Sequence, residues 1–105
     1  MTNIELMRRA AKAAGIELDV WQQHREDGSK VEALRYRGAP HSTFDPLASD
    51  ADAFQVQIGA EILVQAGEYS IRAEAPPNIL FNLHYTGDRA AATRKAIVEV
   101  AAVLA

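Results

Sequence analysis

The 105-residue chain has no cysteine. That excludes a disulfide scaffold, thiolate zinc sites and a thiol nucleophile, and it fits a reducing compartment. Strong charge of either sign is also missing. Eleven basic residues against 14 acidic ones give a formal net charge of −3. The chain as a whole therefore lacks the positive surplus with which a nucleic-acid binder neutralises phosphates. No apolar run approaches the length that spans a bilayer. The start, "MTNIELMRRAAKAAG", has no apolar core of signal-peptide length, because Arg8, Arg9 and Lys12 interrupt it. The expectation is a cytoplasmic protein with no membrane contact. G-x-x-x-x-G-K-[ST], G-x-G-x-x-G and H-x-x-x-H are all absent, which removes the phosphate-loop, dinucleotide and helical zinc-pair signatures.

What remains is an amphipathic pattern of the size of one domain, spanning 1–105. The first element reads as a helix from Asn3 to Ala14. Leu6, Met7, Ala10, Ala13 and Ala14 form its apolar stripe, and Gly15 follows where a C′ glycine belongs. Next, Ile16, Leu18 and Val20 alternate with Glu17, Asp19 and Trp21, and Asp27-Gly28 reads as a two-residue hairpin turn. Pairing about that turn sets Trp21 opposite Leu34 and Asp19 opposite Tyr36. Trp21, Leu34 and Tyr36 then share one face. Leu18, Val20, Val31 and Ala33 share the other, with Arg35 and Arg37 among them. Apolar residues on both faces predict a sheet that is covered twice, or covered once and adhesive on the other side.

Pro40 and Pro46 break regular structure. Ser49 and Asp52 have the spacing of a capping box, so a helix should start at Asp50. The stretch "AFQVQIGAEILVQ" alternates like a strand, yet Phe54, Ile58 and Ile62 also lie four apart. The start signal decides for a helix from Asp50 to about Ala60, burying Ala51, Phe54 and Ile58, with extended chain from Ile62 to Gln65. Strands follow at Tyr69–Glu74 and Ile79–Tyr85, on either side of Pro76-Pro77. Asp88 then caps a helix from Arg89 to Leu104, with Thr93, Ile97, Val100, Ala101 and Leu104 on one face and Ala92, Ala96 and Val103 widening it. The predicted fold class is α+β: a mainly antiparallel sheet packed with about three helices in the order α-β-β-α-β-β-β-α, an α/β sandwich.

The stretches "HSTFDPLASDADAFQVQIGAEILV" and "GDRAAATRKAIVEVAAVLA" carry a resemblance. An aromatic and a proline ahead of an Asp-rich capped helix start, then a strand, and a closing helix of small residues before an aliphatic run, are similar to the phage ABA-sandwich domain family of small phage and prophage proteins. The resemblance implies a sheet between helical layers and a phage or prophage context. The shared motifs are capping and packing signatures, so it implies no chemistry.

Candidate chemistry is sparse. His41, Ser42 and Asp45 sit close together, but a triad is assembled from distant segments, and these residues suit a polar loop equally. Asp45, Asp50 and Asp52 lack the spacing of a calcium loop, and capping accounts for the last two. A zinc site would need the scattered His24, His41 and His84 to converge. Thr86-Gly87-Asp88 could cradle an anion at a helix start, though the charge of Asp88 opposes it. No metal or cofactor is expected. The expected function is that of a non-enzymatic accessory protein acting by protein–protein interaction, inhibition of a host defence complex being one such role. Its partner would be a host or phage protein or a second copy. The contact residues would be Trp21, Leu34, Arg35, Tyr36 and Arg37, with the tryptophan as apolar anchor and the arginines supplying charge-assisted hydrogen bonds. The alternative is a nucleotide or nucleic-acid binder using Arg8, Arg9 and Lys12 with Arg35 and Arg37. A small hydrolase at His41 is the third reading.

Overall fold

The computed structural model describes every residue except 25, 40 and 41, and the backbone alone at Gln23. The expectations placed on Pro40 and His41 therefore lie outside the described residues. The elements are α1 (Asn3–Ala13), β1 (Leu18–His24), β2 (Lys30–Tyr36), α2 (Asp50–Gly59), β3 (Leu63–Ala66), β4 (Ser70–Ala75), β5 (Ile79–His84) and α3 (Arg89–Leu104). This is the α+β order that the sequence predicts. Among the described residues the strands form two antiparallel sheets, β1-β2 and β3-β4-β5.

Each helix begins at a side chain that satisfies its first free N–H groups. Thr2 Oγ1 accepts from the Glu5 N–H at 3.2 Å. Ser49 Oγ accepts from the Asp52 N–H at 3.2 Å. Asp88 Oδ1 accepts from the N–H groups of Ala90 and Ala91 at 2.9 and 3.2 Å. α1 and α2 end alike. Gly15 takes a left-handed φ of 73°, and Ile16 N–H returns to the Ala11 carbonyl at 2.9 Å. Glu61 does the same job at φ 57°, and Ile62 N–H returns to the Gln57 carbonyl at 2.9 Å. A side chain in that conformation is costlier than glycine. The glycine of α2 is instead spent two residues earlier, at Gly59.

α3 is the centre of the molecule. Ala92, Ala96, Ile97, Val98, Val100, Ala101 and Ala102 are buried along it. It packs on α1, α2 and one face of the three-stranded sheet. That face is set by the register. Val64, Ala73 and Phe81 form one row, and Ala66, Ile71 and Leu83 form the next. The opposite face carries the rows Leu63–Glu74–Leu80 and Gln65–Arg72–Asn82, and Leu63 and Leu80 are exposed there. Helices thus cover one side of this sheet, where the resemblance implied both. Val103, expected to widen the buried stripe of α3, is exposed, and Val98 and Ala102 are buried in its place.

Two further expectations are corrected. First, α2 buries Asp52, Ala53 and Val56, while Phe54 and Ile58 are 56% and 57% exposed and Ala51 faces out. The cause is Asp52, held inward by the Tyr36 hydroxyl and the Asp45 N–H, and close packing of small residues follows on the same side. A Cβ at Gly59 would lie 2.2 Å from the Ala14 carbonyl oxygen and 2.8 Å from its Cβ, so α2 lays its small side against the end of α1. Second, the hairpin register is one residue off. Val20 pairs with Leu34, Trp21 with Ala33 and Leu18 with Tyr36. The ladder stops at His24–Lys30, so the connection is longer than Asp27-Gly28. Asp27 Oδ1 accepts from the N–H and Oγ of Ser29 at 2.9 and 2.6 Å, with Gly28 at φ 84°. The Ser29 donors, the hydroxyl first, hold the Asp27 carboxyl below its usual range. A one-residue shift moves the partner strand's side chains to the other face.

Gly59→Ala is expected to destabilise the protein by about 2 kcal/mol, the cost of overpacking. This reverses the sign that helix propensity alone gives for glycine to alanine. Urea unfolding of the two proteins measures it.

Candidate functional site

The hairpin presents two different faces. Its even-numbered face carries Leu18, Val20, Leu34 and Tyr36 and meets the helices. Leu34 is 1% exposed. Tyr36 packs edge-on against Phe44, ring centroids 5.3 Å apart. Its hydroxyl donates to Asp52 Oδ1 at 2.6 Å. The other oxygen of Asp52 accepts from the Asp45 N–H at 2.9 Å. Asp52 thus ties α2, the hairpin and the loop before α2 together. Burial, then the hydrogen bond to this carboxylate, push the Tyr36 hydroxyl well above the ordinary tyrosine range. Leu34 is therefore a core residue, which removes it as a partner contact, while Tyr36 is half-buried and packs against the core from its edge. The shifted register is the reason, because it turns them inward.

The odd-numbered face carries Asp19, Trp21, Val31, Ala33 and Arg35. Here the Arg35 guanidinium lies 4.0 Å over the Trp21 ring. The stack spans the diagonal between Trp21 and the residue two along from its partner. Both side chains are half-buried, and Trp21 Nε1 finds no acceptor among the described residues. Arg37 is exposed and lies between Glu17 and Asp19 at 3.4 Å from each. So the predicted set divides. Trp21, Arg35 and Arg37 lie on or beside one face, while the other holds Leu34, buried, and Tyr36, half-buried.

The alternative basic cluster is elsewhere. Arg8, Arg9 and Lys12 are exposed on α1, across a groove from Ile16, Leu18 and Val20. They lie on the even side of the hairpin, and Arg35 lies on the odd side. Arg37 is already occupied by two carboxylates.

Asp50 and Asp52, in the first turn of α2, both have partners within the chain. Asp50 Oδ1 is 2.6 Å from an Arg94 guanidinium nitrogen, and Arg94 Nε donates to the Leu47 carbonyl at 2.9 Å. No group of three or more acidic or histidine side chains able to hold a metal ion occurs among the described residues. His24 and His84 lie in different sheets, and His41 is outside the described residues, as are the triad and zinc readings built on it. At Thr86-Gly87-Asp88, the Asp88 carboxylate itself occupies the first N–H groups of α3. No helix among the described residues is long and apolar enough to cross a membrane.

Three features escaped the sequence reading: the Asp52–Tyr36 tie, the Arg94 clamp and the groove between α1 and β1. Parity offered a signal for the last, since Ile16, Leu18 and Val20 alternate cleanly after a helix whose polar face is basic.

Stability is expected to fall as pH rises above about 10, the ordinary tyrosine value. The unfolded chain then gives up a proton that the folded Tyr36 retains, so folding is penalised with rising pH. Chemical denaturation across that range should show the decline in the wild type and a shallower one in Tyr36→Phe.

Comparison of the chain with protein-family models, with curated proteins and with solved structures found no match in any of the three.

Proposed function

We propose that this protein is a small non-enzymatic binding protein of phage or prophage origin. Its partner is another protein, of the host or of the phage, and its contact element is the β1-β2 hairpin. The observation that supports this most directly is the Trp21–Arg35 stack on the hairpin face turned away from the helices. Tryptophan and arginine are the residue types that dominate interface energetics. Stacking holds both in one arrangement before contact, which lowers the entropy lost on binding. Arg37, with Glu17 and Asp19 beside it, gives this patch a polar, charged rim.

The resemblance to small phage proteins supports the biological setting. In that setting the role is to occupy a surface that a host defence complex needs.

Affinity capture from a phage-host lysate tests the reading. Trp21→Ala is expected to retain a partner about 30-fold less well than the wild type, the loss that a tryptophan anchor worth about 2 kcal/mol would give. Expression of the wild type, and not of the variant, should raise the plating efficiency of a phage that the host restricts. Equal recovery of the same proteins by both forms would overturn the hairpin as contact element.

A further inference from the structure

The groove between α1 and β1 has a volume of about 460 Å³. Its floor is Ile16, Leu18 and Val20, and its rim is Arg8, Arg9 and Lys12. Leu34 and Tyr36 share the parity of its floor, yet no residue of β2 lines it. The groove therefore runs along the side of β1 that faces away from β2.

The backbone is open on that same side. Arg37 N–H donates to the Glu17 carbonyl at 3.0 Å, which fixes the odd-numbered residues as the ones bonded toward β2. Alternation then turns the N–H and C=O groups of Val20 and Gln22 to the outer edge. The far edge of β2 is already taken: Tyr36 N–H donates to the Ser42 carbonyl at 3.1 Å and Phe44 N–H to the Leu34 carbonyl at 2.8 Å. β1 is the edge of this sheet left unpaired among the described residues. An unpaired edge beside an apolar groove is the arrangement that accepts an added strand.

We infer that an extended acidic segment of a partner protein docks as a further strand on β1. Its backbone bonds Val20 and Gln22, and its inward side chains, apolar and carboxylate, enter the groove beneath α1. This rests on the reading above that the protein acts by binding another protein, and it names a second contact and the chemistry of what fills it. Charge selects the occupant. Arg8, Arg9 and Lys12 are exposed, and none forms an ion pair among the described residues. In a chain of net charge −3, these three cations outnumber Glu5, the one carboxylate that lines the groove with them, and leave a net positive rim that favours carboxylates. A second copy is disfavoured, because edge-to-edge pairing about a two-fold axis would bring the two basic α1 faces together.

The probe is a short fluorescent peptide with threonine at outward positions and glutamate or valine at inward ones. Controls are its lysine-for-glutamate counterpart, an N-methylated form that cannot bond through its backbone, and a single-stranded oligonucleotide. Fluorescence anisotropy is expected to show binding of the acidic peptide alone, weakened at least tenfold, a loss of about 1.4 kcal/mol, by Arg9→Glu and by Val20→Pro. Proline at position 20 removes an outward N–H and leaves the β1-β2 bonds intact. Because that variant could disturb the strand, the N-methylated peptide tests the same bonds on the wild-type protein. Amide exchange at Val20 and Gln22 should slow when the acidic peptide is added. Lysate capture by the Trp21→Ala variant reads the stack on the opposite face, so failure of that contact and failure of this one are told apart. Equal binding of the acidic and lysine peptides, undiminished binding of the N-methylated form, or salt-sensitive binding of the oligonucleotide in place of the peptide would overturn the inference.

Discussion

The Asp52 carboxylate accepts hydrogen bonds from the Tyr36 hydroxyl at 2.6 Å and from the Asp45 N–H at 2.9 Å. With one oxygen on each, it joins β2, the loop that follows it and α2. A part-buried carboxylate is tolerated only where donors replace its water. The rotation of α2 follows, because Asp52 must point inward. Ala53 and Val56 then lie inside with it, and Phe54 and Ile58, a helical turn apart, stay outside. The same tie seats the even face of the hairpin on the body and leaves the odd face out.

Small residues complete the arrangement. Gly59 lets α2 abut Ala14, and the alanines of α3 let α1, α2 and the β3-β4-β5 sheet approach one central helix. Close backbone approach gives dense packing from little side-chain volume. The consequence is a surplus of large apolar side chains at the surface: Phe54, Ile58, Leu63 and Leu80 are all exposed. The hairpin carries the same imbalance in another form. Its inner face is consumed by Leu34 and Tyr36, and its outer face keeps a tryptophan under an arginine.

The two hairpin surfaces differ in physical character. The Trp21–Arg35 face is an ordered patch whose side chains are positioned in advance. The α1–β1 groove offers backbone hydrogen bonds and a basic rim. A partner engaging both would wrap the exposed edge of β1, and the avidity of two contacts would exceed that of either one.

The chain by itself determined the element order, the caps at Ser49 and Asp88, the glycine stop after α1 and the boundaries of α3, because these depend on neighbours within a turn or two. It also showed that the hairpin is apolar on both sides and that α1 has a basic face. Turn chemistry and tertiary contacts together decided which side faces in. The hairpin register turned on Asp27 bonding Ser29 in a longer connection, a local choice that pattern reading could not separate from a two-residue turn. The buried face of α2 turned on a partner sixteen residues away, Tyr36. Periodicity gives the existence of a helix or strand. Its rotation is set by what distant segments bring to it, and here a single carboxylate brought more than two aromatic and aliphatic side chains could.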